Sequence, residues 1–133
     1  MTLSSSARRA LVVALGLLAA GAALLLATRD QPAQAAGSRT VRLTADPNGA
    51  PKFTKTRITT RAGKVTLVLR NPKSSGVPHG IGIEGKGLDK DGKIVAAGKT
   101  SRVTATLRKG TYEYYCPVPA HKRAGMEGKL VVR

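Results

Sequence analysis

The sequence predicts an all-β sandwich of short strands, preceded by an N-terminal export segment. Three observations carry this. From Thr40 onward, apolar and polar residues alternate with period two, as in strands with one buried face. Turn-forming groups recur between the alternating runs: Asp46-Pro47-Asn48-Gly49, Ala62-Gly63, Asn71-Pro72, Asp91-Gly92 and Lys109-Gly110. Beyond Gly37 no stretch has a helical period of useful length. Strands of this kind, without helices to cover them, bury their apolar faces against one another as a sandwich or barrel.

The elements follow in chain order. Residues 1–36 stand apart. Arg8-Arg9 precede an uncharged, mostly apolar run over residues 10–27. Arg29-Asp30-Gln31-Pro32 ends that run, and Ala33-Gln34-Ala35 supplies a small-x-small cleavage site. The run has 18 residues, longer than the ~7–15 of a usual signal core and near the ~18 that can span a bilayer. A cleaved signal peptide and a retained membrane anchor helix through residues 10–27 are both expected forms of this segment. No Cys lies near the end of the run, which excludes a lipid-modified Cys anchor. Arg8-Arg9 reads more simply as basic flanking than as a twin-arginine signal. Either way residues 37–133 are expected outside the cytoplasmic membrane, in the periplasm or at the cell surface.

Val41, Leu43 and Ala45 alternate with Arg42 and Thr44 in a first strand. The Thr-rich stretch over residues 53–60, carrying Ile58, reads as a second. Val65, Leu67 and Leu69 form a third. Val103, Ala105 and Leu107 form another, and Leu130 and Val132 close the chain. The region 85–99 is the least regular and reads as a surface excursion with room for one short helix. Parity puts His79, Ile81 and Ile83 on one inward face, and Tyr112, Tyr114 and Cys116 on another. The chain shows no internal repeat and no second domain.

Composition narrows the function. Without the first 35 residues the net charge is +14, which favours acidic partners or anionic surfaces. Nucleic acid is disfavoured as a partner. The protein is expected to be exported, has no Trp and one Phe, and lacks the aromatic-basic interleaving that stacks bases. A single Cys in an exported chain cannot make an internal disulfide, so another use is expected.

That use is legible in the C-terminal segment, where Cys116, His121 and Met126 are spaced five and five. The remaining His of the chain, His79, lies upstream on an inward face. Each residue alone has a plain reading: a buried small Cys, a structural His, a Met filling a gap. Together they make two imidazoles, one thiolate and one weak thioether, the donor set of a mononuclear type 1 blue-copper centre cycling between Cu(I) and Cu(II). With both His and the Cys committed, no donors remain for a second copper, which argues against an enzyme. A copper carrier or resistance protein without an electron-transfer role is the alternative, and a metal-free adhesive sandwich a further one.

The same residues carry a resemblance. The motifs Val77-Pro78-His79 after Asn71, Gly110-Thr111-Tyr112-Glu113-Tyr114-Tyr115-Cys116, and the Cys–His–Met loop ending Ala124-Gly125-Met126-Glu127-Gly128-Lys129 resemble the cupredoxin family, on its plastocyanin–auracyanin side. The resemblance covers residues 40–133. It implies a Greek-key sandwich of seven or eight strands with the copper near one end and the edge of His121 reaching the surface. It also matches Tyr115, outward by parity, to a surface tyrosine that serves partner docking. Two departures stand out. Four residues separate Cys116 from His121 where plastocyanins have two, so the plastocyanin role in photosynthesis is not implied. Gly80 stands where plastocyanins carry Asn, although its N–H can still donate to the thiolate. The expected protein is a monomeric electron carrier. Val118, Pro119 and Ala120 beside His121 make an apolar docking patch. Lys122 and Arg123 steer an acidic redox partner, such as an exported cytochrome or an oxidase domain.

Overall fold

The computed structural model describes residues 37–133, and the predicted signal or anchor lies outside them. Among these residues there are eight strands: β1 (Arg39–Thr44), β2 (Arg57–Thr60), β3 (Gly63–Arg70), β4 (Gly82–Gly85), β5 (Leu88–Asp91), β6 (Thr100–Leu107), β7 (Gly110–Tyr115) and β8 (Glu127–Val132). They form two sheets, in the orders β1-β3-β6 and β2-β8-β7-β4-β5. Pairing is antiparallel except for β1 with β3 and β2 with β8.

Alternation dictates the packing. On β3, Val65, Leu67 and Leu69 are fully buried, while Lys64, Thr66 and Arg70 face outward. β6 repeats this with Val103, Ala105 and Leu107 turned inward. From the other sheet Ile81, Ile83, Tyr112, Tyr114, Leu130 and Val132 meet them in one core. A one-residue slip in any strand would expose its apolar set, so the pattern fixes the register.

Two glycines make room for two tyrosines. Gly128 on β8 pairs with Tyr114 on β7, and a Cβ there would come within 2.2 Å of the Tyr114 ring. The ring therefore crosses β8, and its hydroxyl donates to the carbonyl of Lys55. On the opposite face Gly82 of β4 pairs with Tyr115, where a Cβ would meet that ring at 2.8 Å and Asp91 at 2.5 Å.

Three expectations need correction. The second strand is confined to Arg57–Thr60, because Phe53 makes only an isolated bridge with Ala45. The region 85–99 contains β5 and no helix. Its hairpin with β4 turns at Lys86-Gly87, both at positive φ. Among the described residues the one helical turn, Lys73–Ser75, lies earlier, just before the His79 segment.

Candidate metal centre

His79 arrives on a segment held at both ends. Its N–H donates to the carbonyl of Val95 and its carbonyl accepts from the Val95 N–H, at 3.1 and 2.9 Å. Before it, the buried side chain of Asn71 donates to the carbonyls of Val77 and Val95 and accepts from the Ser75 hydroxyl. The Asn71 backbone is bonded to Lys99 and Gly98. One buried amide thus ties the 72–79 loop to the 95–99 loop and leaves none of its own polar groups unpaired. The Nε2 of His79 is buried without a hydrogen-bond partner, so backbone and packing orient the ring.

Cys116 follows the end of β7, and the 117–125 loop returns the chain to β8. Backbone bonds close the loop onto its own ligands: Cys116 N–H donates to the Met126 carbonyl and Met126 N–H to the His121 carbonyl, each at 3.0 Å. Ala120, at φ 71°, is one of two non-glycine residues with positive φ among the described residues, a conformation that costs an L-residue roughly 1–2 kcal/mol. It immediately precedes His121 and turns the chain back toward the site.

These supports bring the three strongest donors together. Cys116 Sγ lies 3.6 Å from His121 Nδ1 and 4.0 Å from His79 Nδ1, and the three ligand atoms lie within 4.8 Å of one another. Donors each about 2.0–2.3 Å from a common metal in a trigonal plane stand roughly 3.5–4 Å apart, so the spacing fits one ion. Cys116, His79 and Met126 are fully buried, while His121 is half-buried, as an edge reaching the surface requires.

The electrostatics suit a cation. Burial pushes the Cys116 thiol up from its ordinary pKa, opposed by the N–H groups of Gly80 and Val118. The Gly80 N–H stands 3.4 Å from the sulfur. Burial also lowers the pKa of His79, helped by the neighbouring His121, which favours the neutral imidazole that a ligand must be. A cation among these groups would turn the buried thiol into a thiolate. A Cβ at Gly80 would meet the Pro117 ring at 3.0 Å.

All four sequence-predicted residues occupy this end of the fold. Two neighbours behave otherwise than expected. Tyr115 is on the outer face but is 7% exposed. Its hydroxyl donates to Asp89 and Asp91 at 2.8 and 2.7 Å, and Lys122 lies over its ring. Lys122 is no free steering charge. It is bonded to Glu84 and stands 3.2 Å from Glu113 Oε1. Burial works against the Lys122 charge, but the two carboxylates outweigh it and raise the pKa. The sequence reasoning missed Asn71 as a residue that builds the site. Its signal was present, an Asn-Pro ahead of Val77-Pro78-His79, but was read as turn punctuation.

The donor set of two His, one Cys and one Met is that of a single type 1 copper ion. Solved structures share the fold. Auracyanin B is 27% identical, with a TM-score of 0.63 over 71% of this chain and 88% of its own. Dithionite-reduced auracyanin from the photosynthetic bacterium Roseiflexus castenholzii is 21% identical, with a TM-score of 0.62 over 74% of this chain and 98% of its own. A copper nitrite reductase from Nitrosomonas europaea is 23% identical, with a TM-score of 0.58, and the match takes in 41% of that enzyme's chain. A comparison with curated protein sequences gave no match. The profile of the cupredoxin-like domain matches residues 16–132, and the chain belongs to that family.

Proposed function

We propose that His79, Cys116, His121 and Met126 hold one copper ion in residues 37–133, and that the protein passes single electrons between redox proteins and catalyses no reaction itself. The observation that carries this is the convergence of the Cys116 sulfur and two Nδ1 atoms in a buried pocket with one half-exposed imidazole. Copper bound there supplies a one-electron couple.

The chain's own residues make that couple fast. The bonds joining Cys116 to Met126 and Met126 to His121 hold the loop in one shape, and Asn71 and Val95 hold His79. A site held on both sides changes little when its charge changes. Gly80 N–H stabilises negative charge on sulfur. Burial keeps water from three of the four donors, and His121 alone gives an outlet.

Around that outlet Pro119 and Ala120 are exposed and Val118 half-buried, an apolar rim suited to a short-lived encounter. The net charge and the exposed Arg123 favour an acidic redox partner, such as an exported cytochrome or oxidase domain. Export, by a signal or anchor within residues 1–36, and a Greek-key winding of the eight strands belong to the same proposal.

The test is the visible spectrum on adding Cu(II). The expected result is one copper per chain, an intense thiolate-to-copper band, reversible bleaching on one-electron reduction, and loss of the band in Cys116→Ser. Copper bound without an intense band, or a blue Cys116→Ser variant, would refute the assignment. Tight colourless Cu(I) binding alone would favour a copper carrier.

A further inference from the structure

The six acidic residues of the described chain are unevenly placed. Glu84, Asp89, Asp91 and Glu113 lie on β4, β5 and β7 of the five-stranded sheet. The strands of the other sheet, β1, β3 and β6, carry Arg39, Arg42, Lys64, Arg70 and Arg102 and no acidic residue.

Register gathers three of these arginines. Arg42 on β1 and Arg102 on β6 both pair with Val68 on β3, one from each side. Arg70 follows two residues along β3 on the same face, between Thr44 and Thr100. With strands about 4.8 Å apart and a rise of about 3.3 Å per residue, the three Cα atoms form a triangle with sides of roughly 7–10 Å. That lies well within the reach of arginine side chains. The three side chains, Thr44, Thr100 and Gly98 line a cavity of about 290 Å³ floored by Val68, which is 5% exposed.

All three arginines are exposed, and among the described residues none has a carboxylate within ion-pair distance or a hydrogen-bond acceptor for its guanidinium. Arg39 on the same sheet shows the contrast, with its guanidinium donating to the carbonyls of Gly37 and Ala62. Three like charges around one cavity repel one another. Their fifteen or so N–H donors and two flanking hydroxyls present a concave, donor-rich surface with no carboxylate in its lining. Guanidinium groups match the oxygens of a tetrahedral phosphoryl group in pairs.

We propose that Arg42, Arg70 and Arg102, with Thr44 and Thr100, form a binding site for a phosphoryl group. An anionic lipid headgroup and free phosphate share that chemistry. The site lies on the sheet whose first strand begins twelve residues after the apolar run 10–27, and it is independent of the metal.

The test follows the arginine Nε–H resonances of the full chain in an uncharged detergent. One arm adds inorganic phosphate against chloride at equal ionic strength. The other adds monomeric dihexanoyl phosphatidylglycerol against dihexanoyl phosphatidylcholine. The expected result is a saturable shift at Arg42, Arg70 and Arg102, with Arg39 and Arg61 unmoved. Saturation by phosphate alone identifies the free anion as sufficient, and saturation by phosphatidylglycerol alone identifies the headgroup. Arg70→Gln should weaken binding about fivefold, since one arginine facing an anionic surface contributes about 1 kcal/mol, and Arg61→Gln should not. Shifts spread over all arginines, equal losses in the two variants, or no saturation in either arm would overturn the proposal.

Discussion

The ammonium of Lys122 lies 4.3 Å from the centre of the Tyr115 ring. Tyr115 directly precedes one predicted copper ligand, Cys116, and Lys122 directly follows another, His121. Stacked together on the outer face, and bonded to Glu84, Asp89 and Asp91, the pair braces the two ligands from outside the core. Lys122→Met keeps the apolar stem over Tyr115 and removes the charge. The cost in global stability should stay within about 1 kcal/mol, because the ion pairs are about one-third exposed. Amide exchange over residues 117–125 of the metal-free protein should nevertheless speed up, and Lys122→Arg should restore part of the protection. Unchanged exchange in the Met variant would show that the brace is idle.

Met126→Leu should retain copper and raise the reduction potential, since a lost axial donor disfavours Cu(II). The fully buried position accepts Leu at little cost. Voltammetry and copper analysis of the same sample check both halves. Loss of the metal, or a lower potential, would give Met126 a different role.

Arg123 is exposed in the ligand loop and forms no ion pair among the described residues. Steering of an acidic partner should therefore depend on Arg123 rather than Lys122. In stopped-flow transfer to an acidic cytochrome, Arg123→Glu should slow the second-order rate several-fold at low salt. The difference should shrink as ionic strength rises. A rate indifferent to both charge and salt would remove steering.

The Asn48 N–H and Lys52 hold Asp46 below its ordinary carboxylate pKa of 3.8, against the opposing effect of burial. A carboxylate depressed in the folded state stabilises the fold above its unfolded pKa, and that stability is lost as pH falls through the folded value. Urea midpoints should therefore fall below about pH 4 more steeply in the wild type than in Asp46→Asn. Parallel curves would show that Asp46 does not contribute.

The legible and illegible parts of the fold differ for a physical reason. Period two exposed the inward residues of β3, β6, β7 and β8, because one face of each is buried and the other wet. The four donor residues were legible because Cys, His and Met are rare in this chain and fell into one order. β5 was not, since its Leu88–Asp91 run, at an edge of its sheet, has no buried residue to create a pattern. Asn71 and Lys122 escaped for another reason. Each acts through partners distant in sequence, such as Val95 for Asn71 and Glu84 for Lys122. Tyr115 followed parity to the outer face, but parity is silent on whether that face is covered.

β8 sits inside its sheet, between β2 and β7, although it is the last strand in sequence. Until it inserts, β2 and β7 have no partner between them, and Met126, at its entrance, has no fixed place. The donor set is therefore not assembled until β8 has taken its place. His79 would wait for Cys116, His121 and Met126 to be delivered together. Topology thus joins two things: the placing of β8 between β2 and β7 both completes the sheet and brings the last donor, Met126, to the others.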